Sequence, residues 1–212
     1  MELELKRGGR TARVETLGGE LVSYRDERGL EYIWGGDPAY WPGRNPLLFP
    51  IVGMLKEGKI RFDGREYAME RHGFARRREF TPAARGEDWV RLELRESAET
   101  LALYPYPFRL AVEQRLTDTG FSTAVTVANP GEGPLPFCLG AHTGFRCPLE
   151  AGERFEDYEL VFPERESCPT LLLRDGLLDR PAALPCLEDT DTLPLDYRWF
   201  DALDTLIFEG LR

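Results

Sequence analysis

"WVRLELRE", residues 89–96, sets Val90, Leu92 and Leu94 on one side of the chain and Arg91, Glu93 and Arg95 on the other. Successive side chains of a strand point to opposite faces, so a period of two predicts a half-buried strand in an antiparallel sheet. The pattern continues outward. "FRLAVEQRL" (108–116) groups Phe108, Leu110, Val112 and Leu116, "FSTAVTV" (121–127) groups Phe121, Thr123, Val125 and Val127, and "ELEL" (2–5) alternates near the N-terminus. Turn signals separate these runs: "DERG" at 26–29, "TDTG" at 117–120, and "FDGRE" at 62–66, whose Asp63-Gly64 pair is a strong hairpin signal. A single short helix is predicted, within "SAETLALYP" (97–105). The 21 glycines and 16 prolines are spread along the chain, so no linker divides it. These features predict an all-β protein, a large antiparallel β-sandwich forming one domain over 1–212.

Composition narrows the function classes. Hydrophobic residues make up 42% of the chain, enough for a sizeable core. The longest apolar run, "PLLFPIVGML" (46–55), contains two prolines and does not suit a membrane-spanning helix. The start, "MELELKRGG", has no apolar leader pattern, so a cytoplasmic location is expected. A formal charge of −10 argues against nucleic acid and anionic membranes as partners. Cys138, Cys147, Cys168 and Cys186 form no CxxC pair and two histidines are too few for a zinc cluster, so free thiols and no metal site are expected.

Groups able to move protons near neutral pH are scarce. His72, in "ERHGFARRREF" (70–80), and His142, in "LGAHTGFRCPL" (139–149), are the only histidines, and each is flanked by glycine and phenylalanine. Glycine lets backbone approach a ligand, and aromatic rings can cover the apolar face of a sugar. Each histidine is equally readable as a satisfied turn residue. No GxSxG elbow or phosphate-binding loop is present, and "LGG" (17–19) and "WGG" (34–36) read as turn glycines. Cys138 and His142 are four apart, a spacing that guarantees no contact in a strand-and-turn setting. The Arg71, Arg76, Arg77 and Arg78 cluster is either a phosphate clamp or a solvated face.

Six segments taken together resemble the aldose 1-epimerase (galactose mutarotase-like) family, and within it the LacX-like branch. They are "EYIWGGDPAYWPGRNPLLFPIVG" (31–53), "HGFAR" (72–76), "PFRLAVEQRLTDTGF" (107–121), "PLPFCLGAHTGFRCPL" (134–149), "GERFEDYELVF" (152–162) and "LDTLIF" (203–208). The resemblance covers nearly the whole chain, in order. It implies the family's supersandwich fold and interconversion of the α and β anomers of an aldose, an isomerase reaction needing no cofactor. It also implies roles for particular residues: His142 as the acid that protonates the ring oxygen, His72 as a second histidine that holds the sugar and stabilises charge there, and Asp204 as a ligand of sugar hydroxyls. Arg76 and Arg44 fall in motifs that line the family's site.

Three departures from the family pattern matter. Met54 stands where relatives carry arginine, and Thr143 where they carry proline after the "GAH" histidine. The family's general base is a glutamate on a strand near the end of a longer chain, and this sequence offers no counterpart. A C-terminally shortened chain is therefore expected, either a fragment of a longer gene product or a naturally short member that pairs with another subunit, and one that would by itself dimerise through an exposed strand edge or be marginally stable. The functions to be weighed are a mutarotase for a free aldose, a mutarotase for a hexose phosphate bound by the arginines, and a carbohydrate-binding or regulatory protein without catalysis.

Overall fold

The computed structural model describes residues 1–201 and 203–212, the side chains of 180–182 excepted. The chain falls into two compact units, Met1–Arg146 and Cys147–Arg212.

In the first unit, β1 (Glu2–Arg7), β2 (Arg10–Glu15) and β3 (Glu20–Arg25) form an antiparallel sheet in chain order. A short strand β4 (Leu47–Leu48) and the hairpin of β5 (Lys59–Phe62) and β6 (Arg65–Ala68) follow. The hairpin turns at Asp63 and Gly64, with φ of 46° and 80°, the left-handed pair that the Asp-Gly signal called for. A second antiparallel sheet holds β7 (Thr81–Arg85), β8 (Trp89–Arg95), β9 (Arg109–Leu116) and β10 (Phe121–Ala128), each beside its chain neighbour. Between β8 and β9 lies the predicted helix, α1 (Ala98–Leu103). Ser97 caps it: the Ser97 hydroxyl accepts from Thr100 N–H at 3.2 Å, and the Thr100 hydroxyl accepts from Ser97 N–H at 2.8 Å. The last strand of the unit is β11 (Gly140–Ala141).

The alternation seen in the sequence becomes the core. Leu92 lies opposite Val112 and Leu94 opposite Leu110 in the β8–β9 register. Their face packs against Leu3, Leu5, Val14 and Leu21 from the first sheet. Two sheets thus sandwich one apolar layer, and each side chain of this size stabilises the fold by about 1.5–3 kcal/mol when fully buried. Gln114 is buried among them with its amide satisfied, donating to Gly19 O at 2.9 Å and accepting from Thr123 Oγ1 at 2.6 Å. That bond ties the "LGG" turn between β2 and β3 to the second sheet. Phe49, Phe74, Tyr104 and Phe108 extend the core as an aromatic cluster, with ring centroids 5.2–6.4 Å apart.

The second unit is built on one long ribbon, β12 (Glu159–Arg174) paired antiparallel with β13 (Leu177–Pro194). Asp175 and Gly176, at φ of 52° and 75°, make its turn. The register slips between Val161 and Glu166 and again between Cys168 and Thr170. Pro163 and Pro169 lie within those two gaps, and a proline has no N–H to give the ladder. The final segment runs along β12: Leu171 N–H donates to Ile207 O and Ile207 N–H to Thr170 Oγ1, both at 2.8 Å. All strand pairs are antiparallel and the all-β expectation holds. Among the described residues no helix is long and apolar enough to cross a membrane.

Candidate active site

One segment of the first unit, residues 44–53, holds both histidine-bearing loops. Its start is fixed by Glu20, whose Oε1 accepts from the backbone N–H of Arg44 at 2.8 Å and of Asn45 at 2.6 Å. Residues 44–48 then carry the 140–144 loop. Gly140 and Ala141 pair with Leu48 and Leu47, His142 N–H donates to Pro46 O at 3.1 Å, and Gly144 N–H donates to Arg44 O at 2.6 Å. Residues 49–53 carry the other loop. Phe49 O accepts from Phe74 N–H and Ala75 N–H at 3.0 and 3.2 Å, and Gly53 O accepts from His72 N–H at 2.8 Å.

The two imidazoles meet as a result, with ring centroids 5.9 Å apart and planes at 64°. His72 is half-buried at a φ of 68°, a conformation rare outside glycine. Gly73 follows at φ 71°, and a Cβ there would lie 2.3 Å from Phe49 O, so only glycine fits. The Gly53 N–H donates to His72 Nδ1 at 3.0 Å. This bond fixes the tautomer: Nδ1 is the acceptor, so in the neutral ring Nε2 carries the proton and is free to donate. Burial pushes the His72 pKa down from 6.5, and the nearby Arg76, His142 and Arg71 push the same way. His72 is therefore a neutral hydrogen-bond donor at pH 7.

His142 is exposed and has a different support. The Trp41 indole packs on its ring, with centroids 4.9 Å apart and a tilt of 35°. The next residue, Thr143, donates from its hydroxyl to Asn45 Oδ1 at 2.7 Å. The constraint that a proline would impose after the histidine is thus supplied here by a side-chain hydrogen bond to a buried asparagine.

The arginine run divides. It begins in a 3₁₀ turn, Ala75–Arg77. Arg77 is paired with Glu70 and Arg78 with Glu99. Arg71 and Arg76 have no carboxylate partner among the described residues. Arg76 donates from Nη2 to Arg71 O at 2.9 Å, and its Nε is buried with no partner among the described residues. Such an orphan donor in a native fold calls for an explanation, and a ligand oxygen is one. The "LGG" turn braces this segment: Gly18 N–H donates to Arg78 O at 2.8 Å, and a Cβ on Gly18 would lie 3.0 Å from Arg76 O. Arg71 also lies beside Met54, 4.0 Å from its sulfur, so a guanidinium reaches the place where the family pattern has an arginine at 54.

The remaining expected residues are placed as follows. Arg44 supports the site through its backbone, while its Nε donates to Gly35 O at 3.3 Å. Asp204 belongs to the second unit, where it is exposed and lines a small hollow with Leu172, Leu173 and Thr205. Among the described residues no group of three or more His, Cys, Asp or Glu side chains is placed to hold a metal. A cleft of about 590 Å³, lined by Met69, Phe74, Leu103, Arg77 and Arg78, contains neither histidine. Its arginines are already paired, so proton-transfer chemistry points to the histidine pair instead. Sequence reasoning missed Trp41, Gly53 and Asn45. "WPGRN" (41–45) carried the only available signal, an aromatic residue followed by turn residues just upstream of the apolar run.

Comparison with known proteins gives a consistent result. The aldose 1-epimerase family profile matches residues 1–179. The plasmid form of the LacX protein of Lactococcus lactis subsp. lactis is 41% identical over 220 residues, covering all of this chain and 73% of LacX. The chromosomal form is 40% identical over the same shares. The crystal structure of a galactose mutarotase related enzyme from Lactobacillus acidophilus superposes with a TM-score of 0.91 at 28% identity, over 99% of this chain and 70% of that one. A galactose mutarotase-like protein from Lactobacillus casei gives 0.79 at 31% identity, over 92% and 67%.

Proposed function

The chain belongs to the aldose 1-epimerase family, and on that premise we propose that it interconverts the α and β anomers of an aldose by proton transfer at its two histidines. The observation that carries this reading is the 5.9 Å approach of the chain's only two imidazoles, one held neutral and donating, the other exposed. Anomerisation opens the ring by protonating the ring oxygen while the anomeric hydroxyl passes its proton to solvent water, and reclosure reverses both transfers. Rotation about the C1–C2 bond and reclosure then give the other anomer. His142 is the acid that delivers the proton to the ring oxygen. His72 donates from Nε2 to the same oxygen and holds it in place. One positioned acid or base contributes ~10²–10⁴ in rate.

Arg76, with its orphaned Nε and neighbouring Arg71, is suited to bind oxygens of the sugar. That both arginines lack a carboxylate partner among the described residues also favours a second reading, a phosphorylated hexose, because guanidinium groups bind phosphate through paired hydrogen bonds. The test is the anomerisation rate of pure α-glucose, α-galactose and α-glucose 6-phosphate, followed by polarimetry or NMR. Wild type should exceed buffer and His142→Ala should fall ~10²–10⁴-fold. A wild-type rate equal to buffer while sugar still binds would leave a carbohydrate-binding protein. Arg76→Ala should raise KM for the sugar phosphate far more than for the free sugar if the second reading holds.

A further inference from the structure

His142 has an anchored backbone but no side-chain hydrogen bond among the described residues, so packing must set the orientation of its imidazole. Two rings do this: His72, and the indole of Trp41 at 4.9 Å. The indole is itself closely confined. A Cβ on Gly43 would lie 2.6 Å from Trp41 Cζ2 and 2.8 Å from Cε2, and a Cβ on Gly144 would lie 2.8 Å from Cζ3. These separations are below those of real Cβ contacts, so the six-membered ring fills space that only two glycines leave open. Its backbone is held as well: Trp34 Nε1–H donates to Trp41 O and Trp41 N–H to Asp37 O, both at 2.8 Å.

We propose that Trp41, confined by Gly43 and Gly144, is the positioning residue that aims the His142 ring at the sugar. This inference rests on the mutarotase reading for its catalytic consequence. The reason is geometric. A proton donor must come within hydrogen-bond reach of its target, and a displacement of about 1 Å can cost ~10²-fold in rate. An exposed histidine free to change rotamer would lose that reach for much of the time. Gly43 separates this role from ordinary stability, because the three nearest atoms its Cβ would meet all belong to Trp41 and its φ lies outside the left-handed region.

The test combines kinetics with the imidazole C–H resonances, of which there are only two pairs; His142→Gln assigns the His142 pair by its loss. Gly43→Ala and Trp41→Ala should both shift the His142 resonances, since both displace the indole whose ring current they sense. Both should lower kcat about tenfold or more with KM changed less than threefold. Trp41→Phe should recover part of the loss, and Gly43→Ala added to Trp41→Phe should lower kcat no further, because the smaller ring no longer meets the new methyl. His142 resonances unmoved by both Gly43→Ala and Trp41→Ala would overturn the proposal. So would a full Gly43→Ala loss persisting in the Trp41→Phe background. A wild type without anomerase activity sinks the functional reading instead, and the resonance shifts then decide the Trp41 contact by themselves.

Discussion

The turn that carries His72 is part of the hydrophobic core, whereas the loop that carries His142 rests on that core through polar bonds and one aromatic contact. Phe74 and Ala75, just after His72, are buried against Phe49, and Gly73 touches the Phe49 carbonyl so closely that no side chain fits. His142 instead lies exposed beyond a two-residue strand, with Thr143, Gly144 and Trp41 holding it. The difference suits the division of labour proposed above. A group that must stay neutral and present one fixed donor gains from burial and a backbone clamp. A group that gives up and regains a proton needs access to solvent and substrate.

Substitutions should separate the two regions by the size of their effects. The largest should come from Gly73→Ala, which combines a positive φ with a 2.3 Å clash against backbone. A loss of about 3 kcal/mol is expected, seen as a fall of roughly 6–12 °C in thermal midpoint. On the other loop, Thr143→Ala removes one hydrogen bond to buried Asn45 and should cost only about 1–2 kcal/mol. Equal losses from the two variants would erase the contrast. The smallest effect should be on pH dependence. The folded pKa of His72 lies below its unfolded value of 6.5, so the unfolded chain binds the extra proton first as pH falls. The contribution of neutral His72 is thus fully present above about 6.5 and is lost as pH drops through the window below it. His72→Gln should flatten that part of the stability profile in chemical denaturation; an unchanged profile would contradict the burial of the neutral ring.

What the sequence revealed and what it hid differ for physical reasons. β8 and β9 were legible because each turns apolar side chains into the core, and β10 because Phe121, Val125 and Val127 pack, partly buried, against it, which writes a period near two into the residues. The Asp63-Gly64 turn was legible because few residues tolerate its backbone. The 44–53 segment had no such mark: Leu47, Leu48, Phe49 and Ile51 are buried without alternation, and its bonds to the histidine loops come from backbone groups that any sequence carries. The clamp on His72 is likewise invisible, since its donor is the N–H of Gly53. The β12–β13 ribbon was hidden by prolines that break its alternation, although Asp175-Gly176 repeats the hairpin signal seen at 63–64. His72 and His142 could be picked out by their glycine and aromatic neighbours, yet their meeting depends on a third segment that neither motif contains.

That meeting is the central claim, and a double-mutant cycle on the rate of anomer exchange tests it most directly. Saturation-transfer NMR on galactose, or on the sugar phosphate if that is the better substrate, would compare wild type, His72→Ala, His142→Ala and the double variant. Two groups acting on one ring oxygen should each cost ~10²–10⁴-fold when removed, and the double variant should lose little more than the worse single. Losses that multiply independently, or a His72→Ala rate equal to wild type, would contradict the account.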